Sequence, residues 1–115
     1  MTYLLIALGG AAGAVLRYLV GMAVAFPMGT MVVNVLGSFV MGLALVWVAH
    51  HVKWSPLVMT GLLGGFTTFS AFSLDTLKLV ETGRLGTAAL YVTGSVVLSL
   101  MAVFAGVMLA RGAGA

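Results

Sequence analysis

The apolar positions of this chain fall into four long runs, each interrupted by isolated polar residues and closed by a short polar link. The first run covers about residues 2–26 and stops at Pro27 and Gly29, a turn-forming pair. The second covers 30–49. It gives way to His50, His51, Lys53, Trp54, Ser55 and Pro56, a polar link with an aromatic suited to a membrane interface. The third covers 57–80 and is followed by Glu81, Thr82, Gly83 and Arg84; the fourth covers 85–109, ahead of a tail, 110–115, that carries Arg111. A helix needs about 20 residues to cross the hydrocarbon core of a bilayer, and every run reaches that length. The pattern predicts an all-α integral membrane protein with four transmembrane helices in one domain, residues 1–115. The first run lacks a basic segment ahead of it and has three similar runs behind it, so it reads as a span and not as a signal peptide.

Composition strengthens this reading. Of the 115 residues, 63% are hydrophobic and only 6% are charged, too few to cover a surface facing water. The net charge of +3 comes from scattered Lys and Arg with no basic patch, which excludes a nucleic-acid partner. Cysteine is absent, so redox compartment is not encoded. Four crossings bring both ends to one side, with Lys53 and Arg111; the other side holds Arg84, with Lys78 and Arg17 within reach. So even a split gives the positive-inside rule little to act on and permits insertion in both orientations, hence an antiparallel pair. Four helices also have little interior for the polar residues they carry, which favours an oligomer.

Those polar residues fall in register. Gly9, Gly13, Arg17 and Gly21 are spaced by four on the first span, the glycines suited to close helix contact. Arg17 must snorkel, pair, or line a polar cavity. Asn34, Ser38 and Gly42 share a face of the second span; the Asn34 amide serves either an interhelical hydrogen bond or a passing ion. In the third span, Gly64 and Gly65 precede the β-branched Thr67 and Thr68. Helix propensity is poor there, so a mid-membrane break is predicted at Gly64-Gly65, freeing backbone groups that need partners away from lipid. Phe66, Phe69 and Phe72 recur every third residue, for packing or to offer positive ring edges to an anion. Asp75 is three residues from Lys78, a local ion pair. Thr87, Tyr91, Ser95 and Ser99 form a hydroxyl column on the fourth span, either bonded to their own helix or donating along a path. His50 and His51 lack the Cys or acidic neighbours of a metal site and read as a solvated loop. No catalytic arrangement is present, so an enzyme is not expected.

Three segments, Gly9-Gly10-Ala11-Ala12-Gly13-Ala14-Val15-Leu16-Arg17-Tyr18, Gly29-Thr30-Met31-Val32-Val33-Asn34-Val35-Leu36-Gly37-Ser38 and Gly64-Gly65-Phe66-Thr67-Thr68-Phe69-Ser70-Ala71-Phe72, in this order, make the whole chain resemble the CrcB/Fluc family of small dual-topology fluoride channels. The resemblance implies an antiparallel homodimer in the cell (inner) membrane that conducts fluoride passively and protects against its toxicity. It implies a structural sodium ion at the dimer centre, held by the backbone carbonyls of Gly64 and Thr67. It implies a fluoride pathway of Asn34, Phe69, Phe72, Tyr91, Ser95 and Ser99, with Arg17 near the vestibule and steadying the fold. Ala71 stands where the family often has a hydroxyl residue. Two other readings differ in kind. A small proton-coupled multidrug or cation exporter needs a membrane-embedded carboxylate, and the first two spans have none. A non-conducting assembly subunit would explain the glycine faces but leave Asn34 and the hydroxyl column incidental.

Overall fold

A computed structural model describes residues 1–113; of the short tail predicted at 110–115, residues 114–115 lie outside the described part. The chain is all-α. Helix α1 is Thr2–Ala23 and α2 is Met28–Val48. The third span is a composite: a 3-10 turn at Val52–Trp54, a π-helical stretch at Pro56–Leu63, the short α3 at Gly64–Phe66, and α4 at Phe69–Glu81. Helix α5, Leu85–Gly112, closes the fold. The four stretches Thr2–Ala23, Met28–Val48, Val52–Glu81 and Leu85–Gly112 are long and apolar enough to cross a membrane, so the chain is a multi-pass membrane protein.

Glycines decide how the helices meet. A Cβ on Gly9 would stand 2.7 Å from the amide nitrogen of Leu62 and 3.0 Å from Cα of Gly61; one on Gly65 would stand 2.7 Å from the carbonyl oxygen of Gly10. Helix α1 therefore crosses the third span backbone against backbone, with no side chain between. Helices α2 and α5 repeat the device: a Cβ on Gly42 would lie 2.9 Å from the Val107 nitrogen, and one on Gly106 would lie 3.1 Å from the Leu43 nitrogen. In a bilayer, where lipid is as apolar as leucine, such close approach replaces hydrophobic burial as the packing force.

Helix α4 ends in a Schellman turn. Gly83 has φ +77°, Arg84 N–H donates to Leu79 O at 2.8 Å, and Gly83 N–H donates to Val80 O at 3.1 Å. The turn sends α5 back against α4 and builds the small core of Phe72, Leu79, Ala88 and Tyr91.

The third span is interrupted mid-membrane, but not at the predicted glycines. Gly64 and Gly65 stay helical, and the extended residues are Thr67 (φ −83°, ψ 155°) and Thr68 (φ −155°, ψ 119°). The glycine with no room for a side chain, Gly65, is held in helical geometry by its contact with α1. The β-branched threonines tolerate extended backbone, and they carry the break.

Candidate functional site

Side chains brace the break on both sides. Thr67 Oγ1 donates to Leu63 O at 2.9 Å, the carbonyl that also accepts Thr67 N–H at 3.0 Å. Asn34 on α2 then clamps the next residue from both sides. Thr68 N–H donates to Asn34 Oδ1 at 2.7 Å, and Asn34 Nδ2 donates to Thr68 O at 2.9 Å. Thr68 in turn caps α4: its Oγ1 accepts Ala71 N–H at 3.1 Å. The first turn of α4 thus opens inside the membrane region, with the N–H groups of Phe69 and Ser70 leading it.

Behind the break lies a groove of about 410 Å³ whose lining includes Asn34, Ser38, Thr68, Phe69, Phe72, Ser95 and Ser99. Phe72 is 8% exposed and Phe69 76% exposed, with ring centroids 5.4 Å apart and planes tilted by 47°. Phe72 also meets the Tyr91 ring at 5.4 Å. Ser95 is 5% exposed and, among the described residues, its Oγ has no hydrogen-bond partner, not even the carbonyl one turn back. A buried orphan hydroxyl costs about 1–3 kcal/mol, and this one belongs to the groove lining.

A second recess, about 290 Å³, lies on the other side of Thr68, where Arg17, Gly21, Gly29, Thr30 and Ala71 line it. Arg17 Nε donates to Gly65 O at 3.1 Å. Of its three options, the guanidinium pairs with a backbone carbonyl, and it does so at the edge of this recess.

Two expected arrangements come out differently. Asp75, 9% exposed, does not rely on Lys78. Its Oδ2 accepts the Tyr91 hydroxyl at 3.0 Å, while Lys78 Nζ lies 5.9 Å from the centre of the Phe26 ring. An interior carboxylate gains more from a buried donor than from a lysine on its own helix that can reach the interface. The Tyr91 hydroxyl is therefore engaged on Asp75, while Ser95 and Ser99 of the same column line the groove. In the link, His51 stacks on Trp47 at 4.3 Å and its Nδ1 meets Trp47 O at 2.9 Å.

Sequence held signs of what it did not disclose directly. Thr68 precedes an apolar periodic run, the signature of an N-cap, and that places the break one turn past the glycines. Asp75 and Tyr91 each lie about two turns from the Glu81–Arg84 link, the register at which an antiparallel helix pair brings side chains together.

Residues 4–107 match the family model described as CrcB-like protein, Camphor Resistance (CrcB). Among similar proteins is one from Roseobacter denitrificans, 52% identical over 119 aligned residues that cover 95% of this chain and 94% of that protein. Another, from Cereibacter sphaeroides, is 54% identical over 114 residues, covering 93% and 92%. Both are named fluoride-specific ion channel FluC. A third, from Nitrobacter hamburgensis, is named fluoride-specific ion channel FluC 2 and is 50% identical over 121 residues, covering 96% and 98%. With a family model matched over nearly its whole length and relatives at half identity end to end, this chain belongs to the CrcB family.

Proposed function

We propose that the protein is a fluoride-specific ion channel, conducting passively and selectively, that exports fluoride across the cell membrane and so protects against its toxicity. The similarity to fluoride-specific channels along nearly the whole chain carries this reading. The physical chemistry of the groove is suited to it. Fluoride is small and tightly hydrated, and a path must replace that water with donors while binding weakly enough to release. The orphaned Ser95 hydroxyl is such a donor, and Ser99, one turn on, continues the track. Asn34, Phe69 and Phe72 complete the path, with positive ring edges toward the ion. Tyr91 contributes through its ring against Phe72 and its hold on Asp75. Arg17, at the recess beside Thr68, supplies positive potential at a vestibule and steadies the break through Gly65.

The working unit is an antiparallel homodimer. Phe69 is 76% exposed in one chain although it belongs to the groove, and a second copy would cover it. A structural sodium ion fits at the break, on the carbonyls of Gly64 and Thr67. The helical donor for Gly64 O would be Thr68 N–H, which goes to Asn34; that for Thr67 O would be Ala71 N–H, which goes to Thr68 Oγ1. Both carbonyls are without their helical donors, and a hard cation prefers neutral oxygen ligands of this kind. Such an ion would supply fixed positive charge without a titratable group.

The test is efflux from liposomes holding the purified dimer, followed with fluoride and chloride electrodes. Fast fluoride efflux with chloride retained is expected; no fluoride efflux from folded dimers overturns the channel, and equal chloride efflux overturns the selectivity. Within that assay, Ser95→Ala is expected to slow fluoride while leaving the unfolding temperature unchanged or slightly higher, because the hydroxyl it removes has no partner among the described residues. A lower unfolding temperature with unchanged flux would reassign Ser95 to packing.

A further inference from the structure

We infer that Gly37 of α2 is a positioning residue for conduction, because its missing side chain is the notch that seats the Thr67 methyl and so fixes the break. The inference rests on the channel reading above. Thr67 is held at two points. Its hydroxyl is on Leu63 O at 2.9 Å, which sets the rotamer. That rotamer sends Cγ2 to the space above Gly37, where a Cβ would overlap it outright; the next neighbours of such a Cβ are Phe66 Cδ2 at 3.3 Å and Cε2 at 3.7 Å.

The position of this notch gives it a functional consequence. Gly37 is buried and lies one helical turn from Asn34, on the same face of α2. That face therefore fixes two consecutive residues of the break: the amide of Asn34 grips Thr68, and the void at Gly37 admits Thr67. Moving Thr67 turns its carbonyl, shifts Thr68 in the clamp, and redirects Phe69 at the start of α4. The Phe66 ring can give by a few tenths of an ångström, but the Thr67 methyl is anchored by its own hydroxyl. Alanine is the better helix former, so a loss on Gly37→Ala cannot come from helix propensity.

The cause is specific enough for a compensation test. Thr67→Ser removes the methyl and keeps the hydroxyl that bonds Leu63. Four proteins are compared by fluoride efflux from liposomes and by unfolding temperature: wild type, Gly37→Ala, Thr67→Ser and the double variant. Gly37→Ala is expected to slow wild-type efflux by about tenfold or more, the size of a coupling between touching residues. In the Thr67→Ser background the same substitution is expected to slow efflux by less than about threefold. The unfolding-temperature penalty of Gly37→Ala should shrink in the same background. If Gly37→Ala alone yields no folded protein, the double variant should restore folding. An equal penalty in both backgrounds, in rate and in unfolding temperature, overturns the inference, as does unrestored folding. Wild-type protein without fluoride efflux overturns the channel reading instead.

Discussion

Replacing Gly13 by valine is expected to cut the yield of folded protein by about an order of magnitude or more. A Cβ there would stand 2.7 Å from the Phe66 nitrogen and 3.1 Å from the Gly65 carbonyl carbon, with Leu62 O closer still. All three obstacles are backbone, and backbone cannot turn aside. Relief to a normal contact requires α1 to back away by roughly 1 Å. That move opens the contact at Gly9 and lengthens the Arg17 bond to Gly65. Overpacking alone costs about 1–3 kcal/mol, occasionally more, and the lost close contact adds to it. The yield of monodisperse protein after extraction in detergent measures the effect. Gly21→Ala is the control. Gly21 shares the spacing of Gly9 and Gly13, yet a Cβ there meets nothing within 4 Å. Yield equal for Gly13→Val and Gly21→Ala would show that α1 is not packed through its glycines.

Asn34→Ala is expected to abolish fluoride efflux and to lower stability. The substitution removes both bonds to Thr68, at 2.7 and 2.9 Å, and strands one backbone donor and one backbone acceptor. Each stranded group costs about 1–3 kcal/mol, so about 2–6 kcal/mol together, according to how much water the groove lends them. Against a typical stability of about 5–15 kcal/mol, that is a large fraction. The chain also gains a way out: freed Thr68 N–H can return to Gly64 O and extend the helix through the break. The groove would then lose the extended Thr68 and the α4 N-terminus that help shape it beside Phe69. Liposome efflux and the unfolding temperature check both parts, and efflux at the wild-type rate would remove Asn34 from the pathway.

The four spans are legible in the sequence because length and apolar composition are enough to specify a membrane crossing. Helix pairing is half legible: spacing by four puts Gly9, Gly13 and Gly21 on one face, but only tertiary contact separates the first two from the third. The break illustrates a conflict of levels. Propensity points to the glycines, while the docking of α1 holds Gly65 helical and moves the break to Thr67 and Thr68, where Asn34, 34 residues away from Thr68, waits with matching groups. Local spacing likewise suggests Lys78 for Asp75, and the helix hairpin supplies Tyr91 instead. The groove residues themselves, Ser95 and Ser99 among them, follow from register; that Ser95 is left without a partner does not, because it depends on what every neighbouring helix fails to provide.

The repairs at Thr67 and Thr68 all come from the chain that contains them: Leu63, Asn34 and the Thr68 hydroxyl. This has a bearing on biosynthesis. Asn34 is made and inserted before the third span, so its amide is already in place when the threonines enter the lipid. A newly made chain can therefore leave the insertion machinery with the Thr68 amide and carbonyl already satisfied, before it meets another copy. If the proposed antiparallel pair is the working unit, its two chains could be inserted at different times and pair later.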